Sequence, residues 1–172
     1  MQKSDRHTAY LKGVKQKSLK KILFVCLGNI CRSPAAEGVL RTIVRENHAD
    51  GHWEIDSAGT GGWHIGELPD KRMRIHARQR GIDLTHRCRK VTVSDFEVFD
   101  LIIPMDADNE LNLQRLAPTL EAARKIVPMA IFIDPSMHFD YVPDPYYEGA
   151  EGFEIVLDLL QNGCDNLFKQ LN

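Results

Sequence analysis

The sequence predicts an α/β protein: a single domain of three αβα layers around a four-stranded parallel sheet. Three observations carry that expectation. The run Lys21–Cys26 is rich in Ile, Leu, Phe and Val, as a strand buried on both faces requires. Such runs alternate with helix-length segments, which argues for crossover connections and a sheet covered on both sides. A chain of 172 residues with 43% hydrophobic content holds the core of one domain.

Taken in order, residues 1–19 are a polar N-terminal extension without clear periodicity. Lys3, Arg6, Lys12, Lys15 and Lys17 there, with Lys20 and Lys21 just beyond, stand against Asp5 as the sole acid, and a solvated, mobile tail is expected. Residues 20–172 form the body. Strand Lys21–Cys26 leads into a short loop in which Gly28 lets the chain turn and Asn29 tolerates a left-handed conformation. Ser33-Pro34 reads as an N-cap followed by proline at the first helical position, opening helix Pro34–Asn47. Strand His52–Ser57 follows, then helix Asp70–Arg80 closed by Gly81. A helical turn near Ser94–Phe99 precedes strand Leu101–Met105, helix Ala107–Leu116, strand Ile126–Ile133, a long loop and helix Glu151–Leu171.

The chemistry concentrates at Cys26-Leu27-Gly28-Asn29-Ile30-Cys31-Arg32-Ser33-Pro34. A strand delivers Cys26 to a loop whose amides, with the first free N–H groups of the next helix, converge where the macrodipole favours negative charge. An anion should bind there. Arg32 can offer its planar fork to two oxygens of a phosphate. Thiols at helix N-termini or beside arginine form thiolates readily, so Cys26 is a candidate nucleophile toward phosphorus. Neither a Gly-x-Gly-x-x-Gly nor a Gly-Lys-Ser/Thr pattern is present, which argues against nucleotide binding.

Transfer to a thiolate needs protonation of the departing oxygen. Val142-Pro143-Asp144-Pro145-Tyr146-Tyr147 supplies a candidate acid, Asp144, in a loop stiffened by two prolines and followed by two aromatics. Trp63, between Gly61-Gly62 and Gly66, has little reason to be core and, with Tyr146, suits the flat faces of an aryl phosphate. Cys88 and Cys164 read as structural. Cys31, in the same loop as Cys26, could capture an oxidised nucleophile as a disulfide. His48, His52, His64, His76 and His138 lack ligand-like spacing and read as surface or turn positions, and no metal or other cofactor is expected. A net charge of -2 gives no nucleic-acid signature, and no apolar stretch has the length of a membrane span. Free reactive cysteines suit a reducing compartment, so a cytoplasmic location is expected.

The chain resembles the low-molecular-weight protein tyrosine phosphatases. The resemblance rests on Val25 to Pro34, on Asp56-Ser57-Ala58-Gly59-Thr60, on Asp95-Phe96 through Met105-Asp106, and on Asp144-Pro145-Tyr146-Tyr147, and it runs from about Lys20 to the C-terminus. It implies a flavodoxin-like fold of the phosphotyrosine phosphatase I type, with Cys26 as nucleophile, Arg32 binding phosphate, Ser33 assisting the leaving thiolate, and Asp144 as acid and then base. It further implies that Asn29, Ser57 and His86 hold the loop in shape, that Trp63, Tyr146 and Tyr147 wall the slot, and that Leu27 and Ile30 form its rim, with Gly28 and Cys31 completing the phosphate loop. Tyrosine-phosphorylated proteins would be substrates, and inorganic phosphate or vanadate inhibitors. Ile30 stands where relatives acting on phosphoarginine carry threonine, and Cys88 stands alone where arsenate reductases of similar fold need a further pair of cysteines. A phosphoarginine phosphatase and a phosphate-dependent binding module without turnover are the alternatives.

Overall fold

A computed structural model describes residues 3–172. Three parallel strands, β1 (Lys20–Cys26), β2 (Trp53–Gly59) and β3 (Leu101–Pro104), form a sheet in the order β2-β1-β3. Central β1 pairs Cys26 with Gly59 on one side and Val25 with Pro104 on the other, so all three strands end at the same edge. Strand pleating sends alternate side chains of β1 to opposite faces. Ile22, Phe24 and Cys26 join one buried cluster with α2 (Arg32–Glu46), α3 (Lys71–Gln79) and α7 (Ala150–Leu171). Leu23 and Val25 join a second with Phe96 of α4 (Asp95–Val98), Leu113 of α5 (Ala107–Leu116) and Ala122 of α6 (Leu120–Ala123). The three-layer α/β arrangement is therefore the one expected.

The expected four-stranded sheet is corrected to three strands. Where strand Ile126–Ile133 was expected, the chain makes a single parallel bridge, Ile102 to Ile126, and then turns into a 3-10 helix over Met129–Ile131. Pro128 accounts for the stop, since it has no N–H to continue the ladder.

Residues 3–15 also differ from the expected tail. They form helix α1 (Lys3–Lys15), whose Leu11 and Val14 are buried in the same cluster as α7. Two anchors extend that contact: the Tyr10 hydroxyl donates to the Asp100 carbonyl, and Lys17 pairs with the Asp100 carboxylate. Met1 and Gln2 of the expected extension lie outside the described residues.

Candidate active site

The turn after β1 is built from one left-handed residue and one buried polar net. Asn29 has φ of 57° and is fully buried. Its amide Nδ2 donates to Ser33 Oγ at 2.8 Å and to Ser57 Oγ at 3.0 Å, while its Oδ1 accepts from the Arg89 main-chain N–H at 3.0 Å and from His86 Nε2 at 3.1 Å. Because Oδ1 can only accept, His86 carries a hydrogen on Nε2. Cys88 Sγ donates to the Asn29 carbonyl at 2.8 Å. Gly28 does not supply the turn as expected: its φ is not positive, and a Cβ there would meet only ordinary contacts with His64 and Ile30. Its contribution is to line the slot.

Ser33 is not the N-cap either. Helix α2 begins two residues earlier than expected, at Arg32 rather than Pro34, with Cys31 in the cap position and no side-chain cap. The Ser33 hydroxyl instead lies 3.0 Å from Cys26 Sγ. Since it accepts from Asn29, its own hydrogen can turn to the sulfur or to the Ala58 carbonyl, the latter at 3.4 Å. Among the described residues, the main-chain N–H groups of residues 27–31 find no acceptor, which is what an anion cradle requires.

Arg32 lies on the other side of the loop, buried, with Nη1 donating to Asp106 Oδ2 at 2.6 Å and to the Val142 carbonyl at 3.0 Å. Burial opposes its charge, but Cys26, Asp106 and Asp144 outweigh burial and hold the guanidinium firmly protonated. Its Nη2 is 3.8 Å from Asp144 Oδ2. The acid loop is thus brought over the cysteine loop from far along the chain. Asp144 Oδ1 in turn accepts from the Tyr146 N–H at 3.0 Å.

Cys26, Leu27, Gly28, Ile30, Cys31, Arg32, Trp63, His64, Asp144, Tyr146 and Tyr147 line one slot of about 230 Å³. Trp63 is 68% exposed and Tyr147 92%, so neither is core, and the two tyrosine rings meet edge to face at 4.9 Å. Such a slot offers a thiol at its floor, positive charge and free amides around it, and aromatic walls above. Burial pushes the Cys31 thiol well up, aided by Asp70, and burial holds Cys88 up at about 11. Cys164 is fully buried beside the Ala36 carbonyl and is likewise pushed up by burial. All four cysteines are free.

Several residues that hold the site were given no role from the sequence. Asp106 caps α5 through the Asn109 N–H at 2.8 Å and also anchors Arg32; it falls in the Met105-Asp106 stretch that carries the resemblance, and the capping pattern ahead of α5 marks it as well. Glu37, buried in α2, accepts from Ser57 Oγ at 3.0 Å and stands 3.2 Å from His86 Nδ1, which is also 3.3 Å from Asp56. Burial pushes the Glu37 carboxyl up to about 7 against the pull of Arg41, and burial pushes the His86 imidazole down against the pull of Asp56. Donor atoms of Glu37, Asp56 and His86 lie within 4.8 Å of one another, each carboxylate already paired with a guanidinium, from Arg41 and Arg89 respectively. His64, expected on the surface, lines the slot and bonds Glu67 at 2.8 Å, and His76 stacks on Phe153.

A profile of the family described as low molecular weight phosphotyrosine protein phosphatase matches residues 21–172. The chain belongs to this family. It is 42% identical over 152 residues to the low molecular weight phosphotyrosine protein phosphatase of Schizosaccharomyces pombe, covering 88% of this chain and 96% of the relative. A crystal structure of a protein tyrosine phosphatase from Entamoeba histolytica, with Hepes in its active site, superposes with a TM-score of 0.85 at 43% identity, over 88% of this chain and 96% of that one. A Drosophila arginine phosphatase superposes with a TM-score of 0.80 at 32% identity, over 87% and 96%. As a family member, the protein is a low-molecular-weight protein tyrosine phosphatase. Among the described residues, no helix is long and apolar enough to cross a membrane.

Proposed function

We propose that the protein hydrolyses phosphotyrosine in other proteins through a cysteinyl-phosphate intermediate. The Cys26 thiolate attacks phosphorus, forming the S–P bond as the P–O bond to the tyrosine ring breaks, and the departing phenoxide takes the Asp144 proton. Asp144, now a carboxylate, removes a proton from water as that water attacks phosphorus; the S–P bond breaks, inorganic phosphate leaves, and the Ser33 hydroxyl donates to the restored thiolate. Arg32 and the free loop amides offset the like charges that thiolate and phosphate dianion bring together, with greatest effect as charge shifts in the transition state. No cofactor takes part in this scheme. The observation that carries the reading is the 3.8 Å approach of Asp144 to Arg32 in a slot that Cys26 also lines.

Aromatic walls at Trp63 and Tyr146, with the apolar Ile30 offering no hydroxyl to a guanidinium, favour phosphotyrosine over phosphoarginine. In the presence of EDTA, the protein should hydrolyse p-nitrophenyl phosphate and a phosphotyrosine peptide, lose both activities to vanadate, and act poorly on a phosphoarginine peptide. Absence of p-nitrophenol release would favour a phosphate-binding module, and a preference for phosphoarginine would overturn the assignment of Ile30. Free thiols throughout support a cytoplasmic setting.

We read Cys31 as a guard for the nucleophile, resting in the reduced state as a buried thiol. Once peroxide has converted Cys26 to the sulfenic acid, the Cys31 sulfur displaces water to give a disulfide that a thiol reductant reopens. After a brief peroxide exposure, Cys31→Ser should regain much less activity with reductant than the parent, while Cys88→Ser and Cys164→Ser regain as much. Equal recovery in Cys31→Ser would remove this role.

A further inference from the structure

We propose that Arg72 is a positioning residue that fastens the Asp144 loop to the phosphate loop and so sets the proton donor over the leaving oxygen. The inference rests on the reading of Asp144 as general acid. Four consecutive links make the connection. The Asp70 main-chain N–H donates to the Ile30 carbonyl, within the phosphate loop, at 2.8 Å. The Asp70 carboxylate caps α3, accepting from the Arg72 N–H at 2.8 Å, and is gripped by the Arg72 fork, Nε at 3.1 Å and Nη2 at 2.9 Å. That same Nη2 donates to the Tyr146 carbonyl at 3.0 Å, and the Tyr146 N–H reaches Asp144 Oδ1 at 3.0 Å.

The guanidinium also lies over two rings, 5.4 Å from the Tyr146 centroid and 4.8 Å from that of Phe153 on α7. On its upstream side the acid loop is pinned by Val142, whose N–H donates to the Met105 carbonyl and whose carbonyl accepts from Arg32. Downstream of Val142, segment 143–149 is tied to other elements by the 3.8 Å approach of Asp144 to Arg32 and by the hydrogen bond from Arg72 to the Tyr146 carbonyl. A lysine could not hold Asp70, the Tyr146 carbonyl and a ring face at once, because those contacts need a planar fork. Arg72 is half exposed, and exposed ion pairs add little to stability, so its loss should move the acid rather than unfold the protein.

The test is kcat and KM for phenyl phosphate and p-nitrophenyl phosphate in wild type, Arg72→Ala, Asp144→Ala and the double variant, with Tm measured for each. Arg72→Ala should lower kcat about 10-fold on phenyl phosphate and less than about 2-fold on the nitrophenyl ester, with KM nearly unchanged, because misplacing an acid costs most where protonation matters most. In the Asp144→Ala background the same change should cost nothing further. Arg72→Gln, which keeps a polar side chain without the fork, should repeat the pattern if the alanine variant proves unstable. An equal loss on both esters, or additive losses in the double variant, would overturn the role of Arg72. If Asp144→Ala itself affected both esters equally, the acid assignment would fall first, a result distinct from an Asp144 that discriminates while Arg72 does not.

Discussion

Cys26→Ser should leave a folded protein with no measurable phosphatase activity, a loss greater than about 10⁴-fold, because a hydroxyl with no adjacent base is a poor nucleophile. Phosphate binding should persist, since Arg32 and the free amides of residues 27–31 remain in place. Arg32→Ala should differ in kind. It removes the buried cation held between Asp106 and Asp144, so phosphate affinity, turnover and stability should all fall, the last by about 3 kcal/mol as an ion pair loses one partner. Calorimetric titration with inorganic phosphate, beside a thermal melt, separates the two variants. A Cys26→Ser protein that no longer bound phosphate would mean that the thiolate itself organises the loop.

Asp144→Ala should slow phenyl phosphate hydrolysis about 10²–10³-fold and nitrophenyl phosphate hydrolysis far less, the span expected when a general acid is removed from a reaction with a basic leaving group. The structure provides for this selectivity through separate anchors. Asp144 is held by the Tyr146 N–H and approaches Arg32 without displacing Asp106, so the phosphate cradle keeps its charge when the acid is lost. A steady-state comparison across phenols of graded acidity checks it, and parallel losses across the series would remove Asp144 from the acid role.

What the sequence revealed was local. Cys26 to Pro34 is a contiguous signal in which strand, turn and helix start follow one another, and Asn29 occupies the left-handed position its side chain tolerates. The acid loop is likewise contiguous, its prolines and aromatics readable without knowing what lies opposite. What the sequence hid was pairing at a distance. Asp106 meets Arg32 across 74 positions, Arg72 meets Tyr146 across 74, and Glu37 stands on a helix whose pattern says only that it could face either water or core. The α1 helix was missed for the same reason: Leu11 and Val14 make too small an apolar stripe to mark a helix until α7, at the other end of the chain, covers them. Ser33 shows the opposite error, a residue with a strong local preference for capping whose hydroxyl lies beside the sulfur instead. Pro128, by contrast, was a breaker present in the sequence and outweighed there by the apolar residues around it.

The central claim is that phosphorus passes through Cys26 Sγ. Rapid acid quench during turnover of a phosphotyrosine peptide, followed by mass spectrometry of the digest, tests it most directly. The account predicts one phosphoryl group on the peptide carrying Cys26, formed faster than product accumulates, more abundant in Asp144→Ala with nitrophenyl phosphate as donor, and absent in Cys26→Ser. Phosphate on another residue, or full turnover with no phosphorylated Cys26 at any quench time, would contradict it.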